Sequence, residues 1–233
     1  MADQDKKAEA GAAVVEGSPK TGEQKQWLTK SVERKMTIDS LPPKMRTAPF
    51  DPYMFPLGAE FPEKIPVFIE VSAGSRNKYE WNQEVGVMML DRVLHSAVHY
   101  PESYGFVSRT LCGDGDPLDV LVMGTQPLAV GCVVYARPIA YMVMEDEKGM
   151  DEKVLAVLSN DAHFSHIQCF EDIAKHKLAE VSNFFETYKS LEKNKWAKVG
   201  GWHNTEETYA LLRRTNEAFL EQERLLSSAE EQA

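Results

Sequence analysis

The segment Asp114-Gly115-Asp116-Pro117-Leu118-Asp119 sets three carboxylates within six residues, directly ahead of the apolar run Val120-Leu121-Val122. Few folds accommodate both halves. The apolar run is expected to be a buried strand, so the carboxylates must crowd at the mouth of a rigid element. Crowded carboxylates raise one another's pKa unless a cation neutralises them. Oxygen donors of this kind suit Mg²⁺, Mn²⁺ or Ca²⁺ rather than zinc. Pro117 stiffens the turn by fixing φ, and Gly115 lets backbone pass close to a ligand. Both features set the segment apart from an ordinary acidic surface turn. An EF-hand loop does not fit. Counted from Asp114, Leu118 stands where an oxygen ligand is needed, Asp119 where glycine is needed and Thr125 where glutamate is needed.

The 233 residues suit one globular domain plus tails, and a hydrophobic fraction of 43% supports a real core. Lys plus Arg number 26 against 36 for Asp plus Glu, a net charge of -10. That balance argues against nucleic acid as a partner, which would need a basic footprint. A small anionic substrate stays compatible with it if bound cations dominate the local field. Cys112, Cys132 and Cys169 form no CxxC pair, and an odd count suits reduced thiols in the cytoplasm. Cys112 stands two residues before Asp114 and is expected to be a small buried hydrophobe. No run reaches the roughly 18 apolar residues of a membrane span, so no membrane association is expected. The N-terminus lacks the apolar stretch of a secretory signal.

Along the chain, residues 1–30 are polar and charged and are expected to form a disordered or loosely attached arm. Gly17 and Gly22 have P-loop spacing, but Glu23 and Gln24 stand where Lys and Ser/Thr are required. Residues 31–62, rich in Pro and aromatics from Leu41 onward, predict an extended wrap. Short β-rich runs follow at 65–72, 78–83, 86–93, 118–123, 130–144 and 153–158, with Pro138 marking an edge or bulge. Such runs suggest short antiparallel strands in a small barrel or sandwich. The period then changes. Ile173, Leu178, Val181, Phe184, Phe185, Tyr188 and Leu191 predict a helix over 172–193. A second helix is expected from Asn204, a good N-cap with Glu207 at N3, to about Leu226, with Tyr209, Leu212 and Phe219 inward. The pattern alone thus supports a mixed β-then-α domain over 63–226 and a polar tail at 227–233.

Several stretches together resemble the family I soluble inorganic pyrophosphatases. The segment Asp114 to Val120 resembles that family's signature. Val67-Phe68-Ile69-Glu70 and Lys78-Tyr79-Glu80 look like its first two strands, and Asp91-Arg92 and Tyr100 to Phe106 like its next landmarks. Asp146 to Lys153 resembles its second acidic loop, and Phe184 to Lys189 the helix carrying its last substrate ligands. The resemblance runs in family order from about Phe61 to about Trp202. It implies an α+β fold, a small closed OB-like β-barrel with two main C-terminal helices packed outside.

It also implies Mg²⁺-dependent hydrolysis of pyrophosphate to two orthophosphates, with several Mg²⁺ ions per site and Mn²⁺ able to substitute. The substrate would be Mg-pyrophosphate, and a homo-oligomer is expected. Asp114, Asp119 and Asp151 would hold the metals that bracket the attacking water, and Asp146 a metal that enters with the substrate. Asp116 would be the general base. Glu70 would be an outer metal ligand, and Glu80 would stand behind the metals. Lys78, Arg92, Tyr104, Tyr188 and Lys189 would bind phosphate, with Lys153 and Lys195 weaker candidates. Tyr188 also fits the apolar stripe of its helix. His95 and His99 are four apart, but Ser96 stands where a zinc HExxH motif needs Glu; His163 and His166 suit loops. Two rivals remain at this level. One is a nucleotide or polyphosphate phosphohydrolase; the other is a non-catalytic OB-type binding module, which would need a basic, aromatic-studded face.

Overall fold

A computed structural model describes residues 50–230. The arm expected at 1–30, the wrap before Phe50 and the last residues of the tail lie outside the described residues. Among the described residues are eight strands: β1 (Ile65–Val71), β2 (Asn77–Asn82), β3 (Val87–Val93), β4 (Ser103–Val107), β5 (Asp119–Met123), β6 (Val133–Asp146), β7 (Gly149–Leu158) and β8 (Ala197–His203). Two α-helices accompany them, α1 (Lys175–Thr187) and α2 (Thr205–Glu230).

The main sheet runs β1-β4-β5-β7-β6-β8, and β1 pairs again with β6. Strands β1, β4, β5, β7 and β6 therefore close into the expected five-stranded ring, and β8 extends the far half of β6. The ring is not all antiparallel: β5 and β7 run parallel, with Asp119 opposite Lys153. The long strand β6 crosses between them and is antiparallel to β7, which leaves β7 aligned with β5. The β6 register shifts between Pro138 and Ala140, where the proline cannot donate to the ladder.

Strands β5 and β7 are buried on both faces, which explains their nearly continuous apolar sequence. Leu121, Met123, Leu155 and Val157 join a cluster with Val181, Phe184 and Phe185 of α1. Val120, Val122, Val154 and Ala156 join a second cluster with Leu211 and Leu212 of α2. The period-2 alternation of these strands thus assigns one helix to each set. Burying each large side chain contributes roughly 1.5–3 kcal/mol.

Strand β4 was not expected as a strand, because Gly105 interrupts its apolar pattern. A β-carbon there would lie 1.8 Å from the Phe68 carbonyl oxygen, so glycine permits the close approach of β1 and β4. Strand β8 carries Gly200 and Gly201 and likewise gave no strand signal. The acidic stretch expected as a loop is mostly hairpin. Strands β6 and β7 continue to Asp146 and from Gly149, with the pairing of β6 to β8 extending the sheet.

Helix α1 is shorter than the 172–193 expected. Ile173 is buried, but after a 3₁₀ turn, and Leu191 is 68% exposed. The Thr187 hydroxyl donates to the Asn183 carbonyl at 2.6 Å, and turns at Thr187–Ser190 and Lys189–Glu192 redirect the chain. Helix α2 starts with the expected capping box. Glu207 N–H donates to Asn204 Oδ1 at 3.0 Å, and Asn204 N–H donates to Glu207 Oε2 at 3.0 Å. It continues past Leu226 into the stretch expected as a tail, on polar turns such as the Arg224–Glu221 pair at 3.0 Å.

From Phe50 the chain covers one side of the ring. Tyr53 stacks on Phe106 with ring centres 4.8 Å apart, and Phe50 packs against Phe68 and Trp81 at 6.1 and 6.4 Å.

Candidate active site

A cavity of about 340 Å³ opens where β5, β7 and the β6–β7 hairpin end, and the β2–β3 hairpin and the chain after α1 close its other side. Its carboxylate wall follows from strand register. Asp119 begins β5 and lies opposite Lys153 on the parallel neighbour β7. Asp151, two residues before Lys153, projects from the same face. The Lys153 ammonium, 4% exposed, therefore bridges the carboxylates of Asp119 and Asp151. Burial opposes its charge, but these two carboxylates outweigh burial and raise its pKa. Burial, the Asp119 charge and the Asp114 charge push the Asp151 carboxyl up against the pull of Lys153.

The loop before β5 carries Asp114 and Asp116. Gly115 has φ +91°, which glycine adopts without strain. Asp116 N–H donates to Asp114 Oδ1 at 3.1 Å, and Cys112 N–H donates to the Asp116 carbonyl at 2.8 Å. Burial first and the Asp114 charge second raise the Asp116 pKa. Cys112 is half-buried and packs against the α2-side cluster, with burial pushing its thiol up to about 12.

Asp146 closes β6 opposite Gly149 and accepts the Lys148 N–H at 2.7 Å. Lys189, just past α1, reaches Asp146 Oδ2 at 2.7 Å and Glu147 Oε2 at 3.1 Å. The chain turn that ends α1 early is what delivers this ammonium, 4% exposed, to the site. Tyr188, at the same helix end, lines the cavity while its ring stacks on Phe184.

Two of the cationic groups stand on the separate two-stranded sheet β2–β3. Lys78 and Arg92 are cross-strand partners. Lys78 pairs with Glu80 on its own strand and lies 3.6 Å from Asp91. Arg92 is held by Asp91 and, through Nε, by Glu192 at 3.1 Å. Tyr104 lies at the back, and burial followed by the Asp119 charge keeps its hydroxyl protonated. Of the residues singled out from sequence, only Glu70 does not line the cavity. It is buried behind β2 and accepts the Trp81 N–H at 2.8 Å, and burial raises its pKa to about 8.

The cavity also includes Asp91, Tyr100, Glu147 and Lys148, which no sequence pattern marks as site residues, and Lys195, a weaker candidate from sequence. Glu147 sits beside Asp146 in an acidic hairpin, so adjacency could have signalled it. Its pairing with Lys195 at 2.5 Å and with Lys189 carries no local signal. Burial raises the Tyr100 pKa strongly.

Among the described residues, no three carboxylate, imidazole or thiolate groups converge tightly enough to hold an ion as they stand. Lys153 and Lys189 draw the aspartates to themselves instead. The donor set nevertheless fits a hard divalent ion. It consists of carboxylate oxygens, and two of them, on Asp116 and Asp151, are destabilised in charged form by burial and carboxylate neighbours, a strain that a cation relieves.

A family model described as Inorganic pyrophosphatase matches residues 67–220. The inorganic pyrophosphatase of Thermus thermophilus is 48% identical over 151 residues, 64% of this chain and 86% of that protein. That of Saccharolobus solfataricus is 44% identical over 162 residues, 69% of this chain and 94% of that protein. The crystal structure of the Thermus thermophilus inorganic pyrophosphatase superposes with a TM-score of 0.72 at 43% identity, covering 73% of this chain and 99% of that one. With the closed ring, the carboxylate wall and these likenesses together, the chain belongs to the inorganic pyrophosphatase family.

Proposed function

We propose that this protein hydrolyses inorganic pyrophosphate to two orthophosphates with Mg²⁺, and that Mn²⁺ can replace it. The observation that carries this reading is the charge inventory of one small cavity. Eight carboxylates and six cationic side chains line it, leaving a net negative excess. A phosphate polyanion enters such a cavity favourably only together with added positive charge. Bound Mg²⁺ supplies that charge, lowers the pKa of a coordinated water and shields phosphoryl oxygens.

In this reading Asp114, Asp119, Asp146 and Asp151 hold the ions, with Glu70 and Glu80 supporting them from behind. Asp116 accepts the proton of the attacking water; burial and the Asp114 charge raise its proton affinity. Lys78, Lys153 and Lys189 meet phosphate oxygens as point charges, and Arg92 does so as a planar fork. Tyr104 and Tyr188 donate their hydroxyls. All these residues fall between Glu70 and Lys189, within the catalytic domain proposed over 63–226.

We place the protein in the cytoplasm as a homo-oligomer. The three cysteines are free, and no described helix is long and apolar enough to cross a membrane. Strand β3 exposes Val87, Met89, Leu90 and Val93, each about half exposed, apolar surface suited to contact with a second copy. Orthophosphate release from pyrophosphate, ATP and tripolyphosphate, each with Mg²⁺, Mn²⁺ or a chelator, tests the activity. Rapid release from pyrophosphate with Mg²⁺ alone among the three substrates is expected. Equal turnover of ATP would replace this reading with a nucleotide phosphohydrolase.

A further inference from the structure

The ion pairs of the main cavity join groups that line it, with one exception. Arg92 Nε donates to Glu192 Oε1 at 3.1 Å, and Glu192 lies outside the lining. The Glu192 side chain is 10% exposed and has no other side-chain partner among the described residues. Its backbone belongs to the turn after α1. Glu192 N–H donates to the Lys189 carbonyl at 2.9 Å, and Lys195 N–H donates to the Glu192 carbonyl at 3.3 Å. Lys189 and Lys195 reach Glu147 of the β6–β7 hairpin at 3.1 and 2.5 Å. Glu192 and the bond from Ser96 Oγ to the Tyr188 carbonyl at 3.2 Å tie the same stretch to β3 and the residues after it. Among the described residues no ion pair joins the two hairpins directly, so this turn is their link.

The contact also limits what Arg92 can offer. A guanidinium carries five N–H donors in one plane. Glu192 takes the Nε–H and Asp91 takes a donor of Nη1, while no described residue accepts from Nη2. An acceptor at Nε blocks a side-on grip through Nε and Nη2. It leaves the end-on grip through Nη1 and Nη2, and it fixes the plane in which that grip lies.

We propose that Glu192 is a positioning residue for pyrophosphate hydrolysis. It sets the plane of the Arg92 guanidinium and holds it in register with Lys189, one turn of chain away, so that both cations meet the substrate together. This role rests on the phosphate-binding roles proposed for Arg92 and Lys189. Its sign is distinctive. Glu192 is an anion near a site for a polyanion, so by charge alone its removal should tighten substrate binding. A positioning role demands the opposite.

Steady-state kinetics of Glu192→Ala, Glu192→Gln, Arg92→Lys and the Glu192→Ala/Arg92→Lys double variant, each with Mg-pyrophosphate, test this. Glu192→Ala should raise KM about tenfold with kcat within about threefold. Glu192→Gln keeps an oxygen that accepts the Nε–H, and its KM should stay within about threefold of wild type. Lysine has no Nε–H to hold, so in the Arg92→Lys background Glu192→Ala should add less than about twofold. The melting temperature should fall by no more than about 3 °C. In isotope-labelled protein the Arg92 Nε–H resonance, slowed in solvent exchange by Glu192 in wild type, should lose that protection in Glu192→Ala. An unchanged or lowered KM, a Gln variant no better than Ala, a full tenfold cost in the Arg92→Lys background, or an Nε–H unprotected in wild type overturns the inference. A wild type that turns over no pyrophosphate while its Nε–H is protected overturns the proposed function instead, so the two failures are distinguishable.

Discussion

The two walls of the main cavity are built differently. The carboxylate wall stands on β5, β6 and β7, paired on both sides within the closed ring and packed on both faces. Its groups are fixed by register, as with Asp119 opposite Lys153. The wall bearing Lys78 and Arg92 stands on a separate two-stranded sheet, and β3 is exposed along much of its length. Its cations are held by the carboxylates of Glu80, Asp91 and the distant Glu192. The difference suggests a division of labour. In the proposed reading the metal ligands, with Lys153 and Lys189, are preorganised by the core, whereas Lys78 and Arg92 stand on the hairpin outside the ring.

This contrast can be broken at several points. Asp116→Asn should slow turnover by roughly 10²–10⁴, the usual range for a lost general base, with the fold and Mg²⁺ binding unchanged. Steady-state kinetics within twofold of wild type would remove Asp116 from that role. Lys153→Met leaves Asp119 and Asp151 without their counter-ion in a half-buried setting. We expect a loss of about 3 kcal/mol in metal-free stability, partly restored by Mg²⁺ because divalent ions compensate the same two carboxylates. Denaturant melts with and without Mg²⁺ measure this, and an unchanged midpoint would show that the bridge does not support the wall. Arg92→Lys, on the hairpin wall, keeps the charge but loses the fork. Its effect should be smaller, about tenfold in kcat/KM, with no loss of stability. A stability loss matching that of Lys153→Met would mean that the hairpin is as integral to the fold as the ring.

The sequence revealed the preorganised wall better than the one on the hairpin. Asp114, Asp116 and Asp119 are local in the chain, and the β-branched run behind them announces its strand. The capping box at Asn204 and Glu207 was equally local, and it formed as expected. What escaped was non-local. The pairing of β6 with β8 turned a supposed acidic loop into a hairpin, and Gly105 concealed β4 because its reason is the Phe68 carbonyl on another strand. The Glu192–Arg92 pair spans 100 residues, so no pattern in either segment could signal it. The apolar period of α1 continued to Leu191 although the helix stopped at Thr187, where the turns Thr187–Ser190 and Lys189–Glu192 take over from helical bonding.

In the proposed function the carboxylate wall binds the divalent ions on which pyrophosphate hydrolysis depends. The most direct measurement is orthophosphate release from pyrophosphate across a Mg²⁺ titration, for wild type and Asp119→Ala side by side. No release is expected without Mg²⁺ in either protein, and the midpoint for Asp119→Ala should shift about tenfold or more to higher Mg²⁺. Identical titration curves, or release that persists in a chelator, would contradict this reading.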